Sequence, residues 1–193
     1  FRKQVPICLN YTLTANPHVN TDIGGFFAGG YSTKGHNSAT RNPQYHELYV
    51  RWMQFGAFSP MMRSHGADVY REIYHYGKPG EPVYDALLEA IRLRYRLMPY
   101  TYSLSWQVSQ HDDSFMRALF MDFRDDKRTW NNNSEFMYGR SLLVCPVLHP
   151  LYTKEQVEWT REDYPVIDWT AERNYEVYLP AGAQWYDYHT GVR

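Results

Sequence analysis

The order of the periodic segments constrains this chain most. Two long stretches carry apolar residues at helical spacing, each is preceded by a short extended run ending in polar residues and glycine, and after them only strand patterns follow. The first helical stretch covers residues 42–58. It opens with Asn42-Pro43, a capping side chain before a proline at the first helical position, and it places Tyr45, Leu48, Tyr49, Trp52 and Phe55 on one face. The second starts at Glu81-Pro82, with Val83, Leu87, Ile91, Tyr95 and Met98 as its buried stripe and Tyr84 and Leu88 widening it. Pro99 is expected to interrupt this helix before residues 100–108 continue. Residues 18–23 and 59–65 read as the short extended runs. A further helix is expected near the start, where Phe1, Val5, Cys8, Leu9 and Leu13 recur at helical spacing, provided that Pro6 falls in its first turn. Residues 24–42 read as a Gly/Ser/Thr/Asn-rich loop and residues 66–80 as an irregular aromatic one. Beyond these helices, residues 115–123, 141–148 and 175–179 read as strands separated by turns at Asp125-Asp126, residues 131–133 and residues 180–182. Part of an α/β layer followed by an antiparallel β module is therefore predicted, with the boundary near residues 110–114.

Composition narrows the partners. Among 193 residues, 20 Lys and Arg nearly cancel 21 Asp and Glu. Neither phosphate attraction nor a charged tail has a net charge to work with, so no nucleic-acid partner is expected. Hydrophobic residues at 44% exclude a disordered chain. No run approaches the ~20 apolar residues of a membrane span, so no membrane partner is expected. Cys8 and Cys145 stand far apart in apolar runs and read as two buried thiols. The chain begins with Phe1 rather than Met and reads as a piece of a longer protein.

Chemistry has few places to reside. The glycine pairs Gly24-Gly25 and Gly29-Gly30 lack the spacing that cradles a phosphate, and the eight histidines form no helical i, i+4 pair suited to a metal. Adjacent carboxylates at Asp112-Asp113, Asp125-Asp126 and Glu162-Asp163 sit in polar connections and read as solvated turn residues. Neighbours in a turn do not flank a glycosidic bond from opposite sides, ~5–9 Å apart. Two segments stand out, Thr21-Asp22-Ile23-Gly24-Gly25-Phe26-Phe27 and Met61-Met62-Arg63-Ser64-His65-Gly66. In each, a short strand ends in polar residues and runs into a long loop, the arrangement by which α/β barrels build sites at the carboxyl ends of their strands. Taken singly, Asp22 reads as a turn residue and His65 as a satisfied core histidine.

Taken together, these segments resemble a known family. Asp22-Ile23-Gly24-Gly25-Phe26, the run from Arg51 to Ala57, Arg63-Ser64-His65, the run from Arg94 to Tyr102 and the run from Leu142 to Val147 occur in the order found in glycoside hydrolase family 31. The C-terminal Val177-Tyr178-Leu179-Pro180, Gly182 and Trp185-Tyr186-Asp187 are similar to that family's proximal β-sandwich.

The resemblance implies the last third of a (β/α)8 barrel over residues 1–113 and part of an antiparallel β-sandwich over residues 114–193. It implies a retaining α-glycosidase in the full-length protein, α-xylosidase-like or else an α-glucosidase, acting on an oligosaccharide or glycoside without metal or organic cofactor. No residue here matches the family's two catalytic aspartates, so these residues alone are expected to be inactive, and the remainder of the chain is their expected partner. What carries over is a supporting shell. Asp22 and His65 would hydrogen-bond the sugar, Phe26 would form an apolar wall, and Arg63 would be a cationic neighbour or would hold carboxylates ionised and oriented. Trp52, Tyr95, Tyr100 and Trp106 lie on helices and read as packing residues. A non-catalytic carbohydrate-binding module is the rival from another class, and it has no reason to set Asp22 and His65 at neighbouring strand ends. Unpaired strand edges would drive these residues, if isolated, to self-associate.

Overall fold

The computed structural model describes residues 1–153 and 164–193; the carboxylate pair Glu162-Asp163 lies outside them. Helix α1 (Gln4–Leu13) carries Pro6 in its first turn, where no intrahelical partner awaits an N–H. It buries Val5, Cys8, Leu9 and Thr12, while Leu13, at the end of the expected stripe, is exposed. Helix α2 (Pro43–Gly56) begins as expected, the Asn42 side chain accepting from Gln44 N–H at 3.0 Å. Tyr45, Tyr49, Trp52 and Phe55 are buried, each contributing about 1.5–3 kcal/mol as apolar surface leaves water.

The second stretch divides into α3 (Pro82–Arg96) and α4 (Met98–His111), broken at Leu97 because Pro99 can only enter a helix at its first turn. The buried stripe corrects the sequence expectation. It runs through Val83, Leu87, Ala90 and Leu97, leaving Tyr95 and Met98 exposed. Arg94 takes the inward position instead. Its guanidinium donates to the carbonyls of Ala57 (3.1 Å), Ser59 (2.5 Å) and Pro60 (2.9 Å), satisfying the turn that ends α2.

The expected strands at 18–23 and 59–65 form no regular ladder. They meet in a single parallel bridge, Ile23 with Ser64, in which Ile23 N–H donates to the Arg63 carbonyl at 3.1 Å.

After α4 the chain turns through Asp112, in the left-handed region at φ 52°, and forms an antiparallel sheet of β1 (Met116–Ala118), β2 (Phe136–Tyr138) and β3 (Leu142–Val144). Phe136 pairs with both Ala118 and Val144, so β2 is the central strand, although sequence pattern did not reveal it. The run expected as a strand through residue 123 instead turns into the short helix α5 (Leu119–Asp122). An extended strand would carry residues five apart to a separation of about 17 Å. The turn brings the Asp122 carboxylate onto the buried Arg117 guanidinium at 2.8 and 2.9 Å. Asp113 is a second partner of Arg117 and also of Arg140, so it is a largely buried structural carboxylate rather than a solvated turn residue. Residues 175–179 join no sheet; Tyr178 N–H donates instead to the buried Glu135 carboxylate at 2.7 Å.

Tyr138 fastens the sheet to the helices. Its hydroxyl lies 3.0 Å from Thr101 Oγ1, and its carbonyl accepts from Tyr100 Oη at 2.9 Å. Both cysteines are free, Cys8 buried and Cys145 only half-buried. Among the described residues no helix is long and apolar enough to cross a membrane.

Candidate functional site

The Ile23–Ser64 bridge decides which way the neighbouring side chains point, because successive residues of an extended segment face opposite sides. Thr21 and Ile23 face α2: Trp52 Nε1 donates to Thr21 Oγ1 at 2.7 Å, and Ile23 packs under Gly56. Ser64 faces α2 as well, its Oγ 2.8 Å from Tyr49 Oη. The residues between them, Asp22 on one segment and Arg63 and His65 on the other, therefore share the face turned away from the helix.

On that face Arg63 Nη2 lies 2.5 Å from Asp22 Oδ1. Among the described residues the hydrogen bond of the Asp22 carboxylate runs through Oδ1 to Arg63. His65 meets Phe26, ring centroids 5.5 Å apart at an interplanar angle of 54°, and Phe26 in turn meets Phe27 edge-on. The four residues singled out from the sequence thus form two touching pairs, joined by the bridge. A polar cleft of about 310 Å³ opens beside His65, lined by His36, Asn37, Asp68 and Tyr70 among others; Asp22, Phe26 and Arg63 do not line it.

Local sequence explains how Phe26 reaches this face. Gly24 and Gly25 both adopt positive φ (93° and 80°), and a Cβ on Gly24 would lie 2.9 Å from Tyr45 Oη. Two glycines let the chain reverse tightly against α2, where Tyr45 Oη donates to the Gly24 carbonyl at 3.0 Å. Burial raises the pKa values of the Tyr45, Tyr49 and Tyr76 phenols, that of Tyr49 to about 12, so these hydroxyls act as neutral donors.

Two residues that sequence reading passed over complete the scaffold. The Asp68 carboxylate accepts from Ala28 N–H (2.9 Å) and Gly29 N–H (2.7 Å), joining the two site loops. Arg71 donates to the Gly25 carbonyl across the same gap. The only signal either offered was a lone charge in an aromatic loop.

The description "Glycosyl hydrolases family 31 TIM-barrel domain" matches residues 1–104, and "Glycosyl hydrolase family 31 C-terminal domain" matches residues 112–193. An alpha-xylosidase of Saccharolobus solfataricus is 35% identical over 192 residues, 100% of this chain and 22% of that protein. Alpha-glucosidase 2 of Bacillus thermoamyloliquefaciens is 32% identical over 170 residues, 87% of this chain and 19% of its own length. Among solved structures, the GH31 alpha-xylosidase from Xanthomonas citri aligns with a TM-score of 0.69 at 37% identity, covering 76% of this chain and 16% of that one. The Flavobacterium johnsoniae GH31 dextranase complexed with glucose aligns with a TM-score of 0.65 at 30% identity, covering 77% and 17%. This chain spans about a fifth of the length of these relatives.

Proposed function

This chain belongs to glycosyl hydrolase family 31, and on that premise we propose that it is part of a retaining α-glycosidase that removes terminal α-linked sugars, α-xylosidase-like in its preference. Residues 1–113 are read as the last third of the (β/α)8 barrel and residues 114–193 as part of the β-sandwich behind it. The left-handed turn at Asp112, where α4 ends and the sheet begins, supports that division.

The observation that carries the reading is the shared face of Asp22, Arg63 and His65. In a barrel, residues on the far side of a strand from the helices point into the lumen, and those at carboxyl ends line the site. There a carboxylate and an imidazole fix sugar hydroxyls, and contacts that tighten as the ring flattens toward an oxocarbenium ion lower the barrier. Phe26 supplies an apolar wall. Arg63 acts by orienting Asp22, consistent with their ion pair. The two aspartates of the double displacement, one forming the covalent glycosyl intermediate and the other protonating the leaving group, come from the remainder of the protein. The substrate is a glycoside or oligosaccharide.

The preference for xylose rests on kinship. The stretch Met116-Arg117-Ala118, followed by Met121-Asp122-Phe123 and Asp125-Asp126, resembles the corresponding one of bacterial α-xylosidases. Similarity to the Saccharolobus enzyme over the whole chain supports it, while the α-glucosidase relatives keep that specificity as the second reading. Arg117 itself is buried in ion pairs with Asp113 and Asp122, which supports a structural role for it rather than one in reading the substrate.

Steady-state kinetics of the intact enzyme test the site. Asp22→Ala and His65→Ala are each expected to lower kcat/KM on an aryl α-glycoside by about 2–4 kcal/mol, since each removes a hydrogen bond at a charged or charge-developing centre. Unchanged kinetics in both variants would reduce these residues to a turn and a packing group.

A further inference from the structure

We infer that Arg71 is a positioning residue of this subsite, a guanidinium clamp that holds the turn after Asp22 against the turn after His65. The inference rests on the site reading above and adds a residue outside it. Among the described residues the two site segments share one β-bridge, Ile23 with Ser64. Beyond it Ala67 N–H donates to the Phe26 carbonyl at 3.0 Å and Asp68 accepts from Ala28 and Gly29. A guanidinium at Gly25 adds a charged tie at the turn itself. Arg71 supplies that tie. Its Nη2 donates to the Gly25 carbonyl at 2.5 Å, and Gly25 is the residue before Phe26. Its Nη1 donates to the Val69 carbonyl at 2.5 Å within its own loop. The Arg71 carbonyl accepts from Tyr49 Oη at 2.5 Å, anchoring the loop to α2, and the guanidinium carbon sits 5.7 Å from the Tyr45 ring centroid.

Glycines on both loops make room for this group. A Cβ on Gly66, directly after His65, would lie 2.1 Å from Nη2 and 2.6 Å from the guanidinium carbon. A Cβ on Gly24 would lie 3.0 Å from Nε. Among the described residues that Nε is buried without a hydrogen-bond partner, so the guanidinium is held for its carbonyl contacts at a cost in unsatisfied polarity. A group whose two prongs end on backbone carbonyls of two loops fixes the distance between them, and small displacements of positioning groups cost rate steeply.

The test uses the intact enzyme and three variants. Arg71→Met keeps the stem and removes the prongs, and Arg71→Lys keeps the charge but reaches one carbonyl at a time. Gly66→Ala leaves Arg71 in place but drives its guanidinium out. Gly66 has an ordinary backbone conformation, so alanine brings no strain of its own. Each variant is expected to lower kcat/KM on an aryl α-glycoside about 10–100-fold and to raise the inhibition constant of free xylose or glucose in parallel. Guanidinium ion at tens of millimolar is expected to restore part of the Arg71→Met activity and none of the Gly66→Ala activity, because in the latter the methyl group fills the vacated space. A fall in thermal midpoint with kcat/KM and sugar inhibition within about threefold of the parent would overturn the inference and leave Arg71 a fold residue. If Arg71→Met does not fold, Arg71→Lys and Gly66→Ala carry the same test. Asp22→Ala and His65→Ala measured alongside separate the two readings. Silence in those two sinks the subsite itself, whereas their impairment with normal Arg71 and Gly66 variants sinks the clamp alone.

Discussion

Glu47→Gln should loosen one defined stretch of backbone. Glu47 lies in α2, 3% exposed, and its carboxylate collects a row of donors from the far side of the chain. Oε1 accepts from Leu151 N–H at 2.6 Å; Oε2 accepts from Thr153 N–H and Thr153 Oγ1, both at 2.8 Å; Tyr152 N–H lies 3.2 Å from each oxygen. Arg51 approaches no closer than 3.8 Å. Glutamine has the same shape but only one acceptor. In its better orientation the carbonyl stays on Thr153 and Tyr152, and the amide group faces Leu151 N–H, donor against donor. The retained bonds fall from the charged class, about 1.5–3 kcal/mol, to the neutral one, about 0.5–1.5, and the Leu151 donor goes unpaired. Leu151 is only half-buried, which lets water relieve part of that penalty. A net local loss of about 3 kcal/mol remains, or roughly a hundredfold in the opening constant. Amide hydrogen exchange by mass spectrometry on the intact enzyme reads this directly. Peptides covering residues 151–153 should exchange about a hundredfold faster in the variant, while peptides from β1 to β3 keep their protection. A change below about fivefold at residues 151–153 would refute the account, because the carboxylate would then not be what holds that turn.

The 193 residues expressed alone should show no turnover of aryl α-glycosides, and any measurable turnover would contradict the reading that both catalytic aspartates lie elsewhere. Isolated, they should also self-associate through exposed apolar side chains such as Ile7 and Tyr11 on α1 and Tyr95, Tyr102 and Trp106 on α3 and α4; light scattering showing a compact monomer at high concentration would speak against the domain limits. The intact enzyme should prefer an aryl α-xyloside to the matched α-glucoside. If the pocket is narrow around C5, the hydroxymethyl group of glucose clashes, whereas an open pocket separates the two by about 1–3 kcal/mol at most. A higher kcat/KM for the glucoside would reverse the substrate reading and leave the family intact. Burial lowers the pKa of His46 below its ordinary value near 6.5, outweighing the Thr40 carbonyl that contacts its Nε2 at 2.7 Å. As pH falls below about 6.5 the unfolded chain takes up a proton that the folded state resists, so stability present above that pH is lost on acidification. Thermal midpoints from pH 8 to 5 should fall less steeply in His46→Gln, whose amide still donates to Thr40; identical slopes would clear His46 of the effect.

Local chemistry determined where α2 starts and where α3 gives way to α4. Asn42-Pro43 begins α2 and Pro99 forces the break between α3 and α4, because a capping bond and a missing N–H act within one turn of chain. The two long helical stretches and the glycine after each polar strand end were likewise written in the chain; they made the two segments stand out, and the family resemblance then joined Asp22 and His65 as a pair. Everything that depended on a distant partner was decided by tertiary structure. The stripe of α3 passes through Arg94 rather than Tyr95 because three carbonyls at the end of α2 need donors, which helical periodicity cannot register. Residues 119–122 leave the strand because Arg117 draws Asp122 back, and β2 is a strand because β1 and β3 flank it on both sides. The site follows the same division. The family resemblance named Asp22, Phe26, Arg63 and His65, but the ion pair of Asp22 with Arg63 spans 41 positions and the Arg71 bond to Gly25 spans 46. A sequence carries no record of such distances, since only the folded backbone sets which two loops share a face.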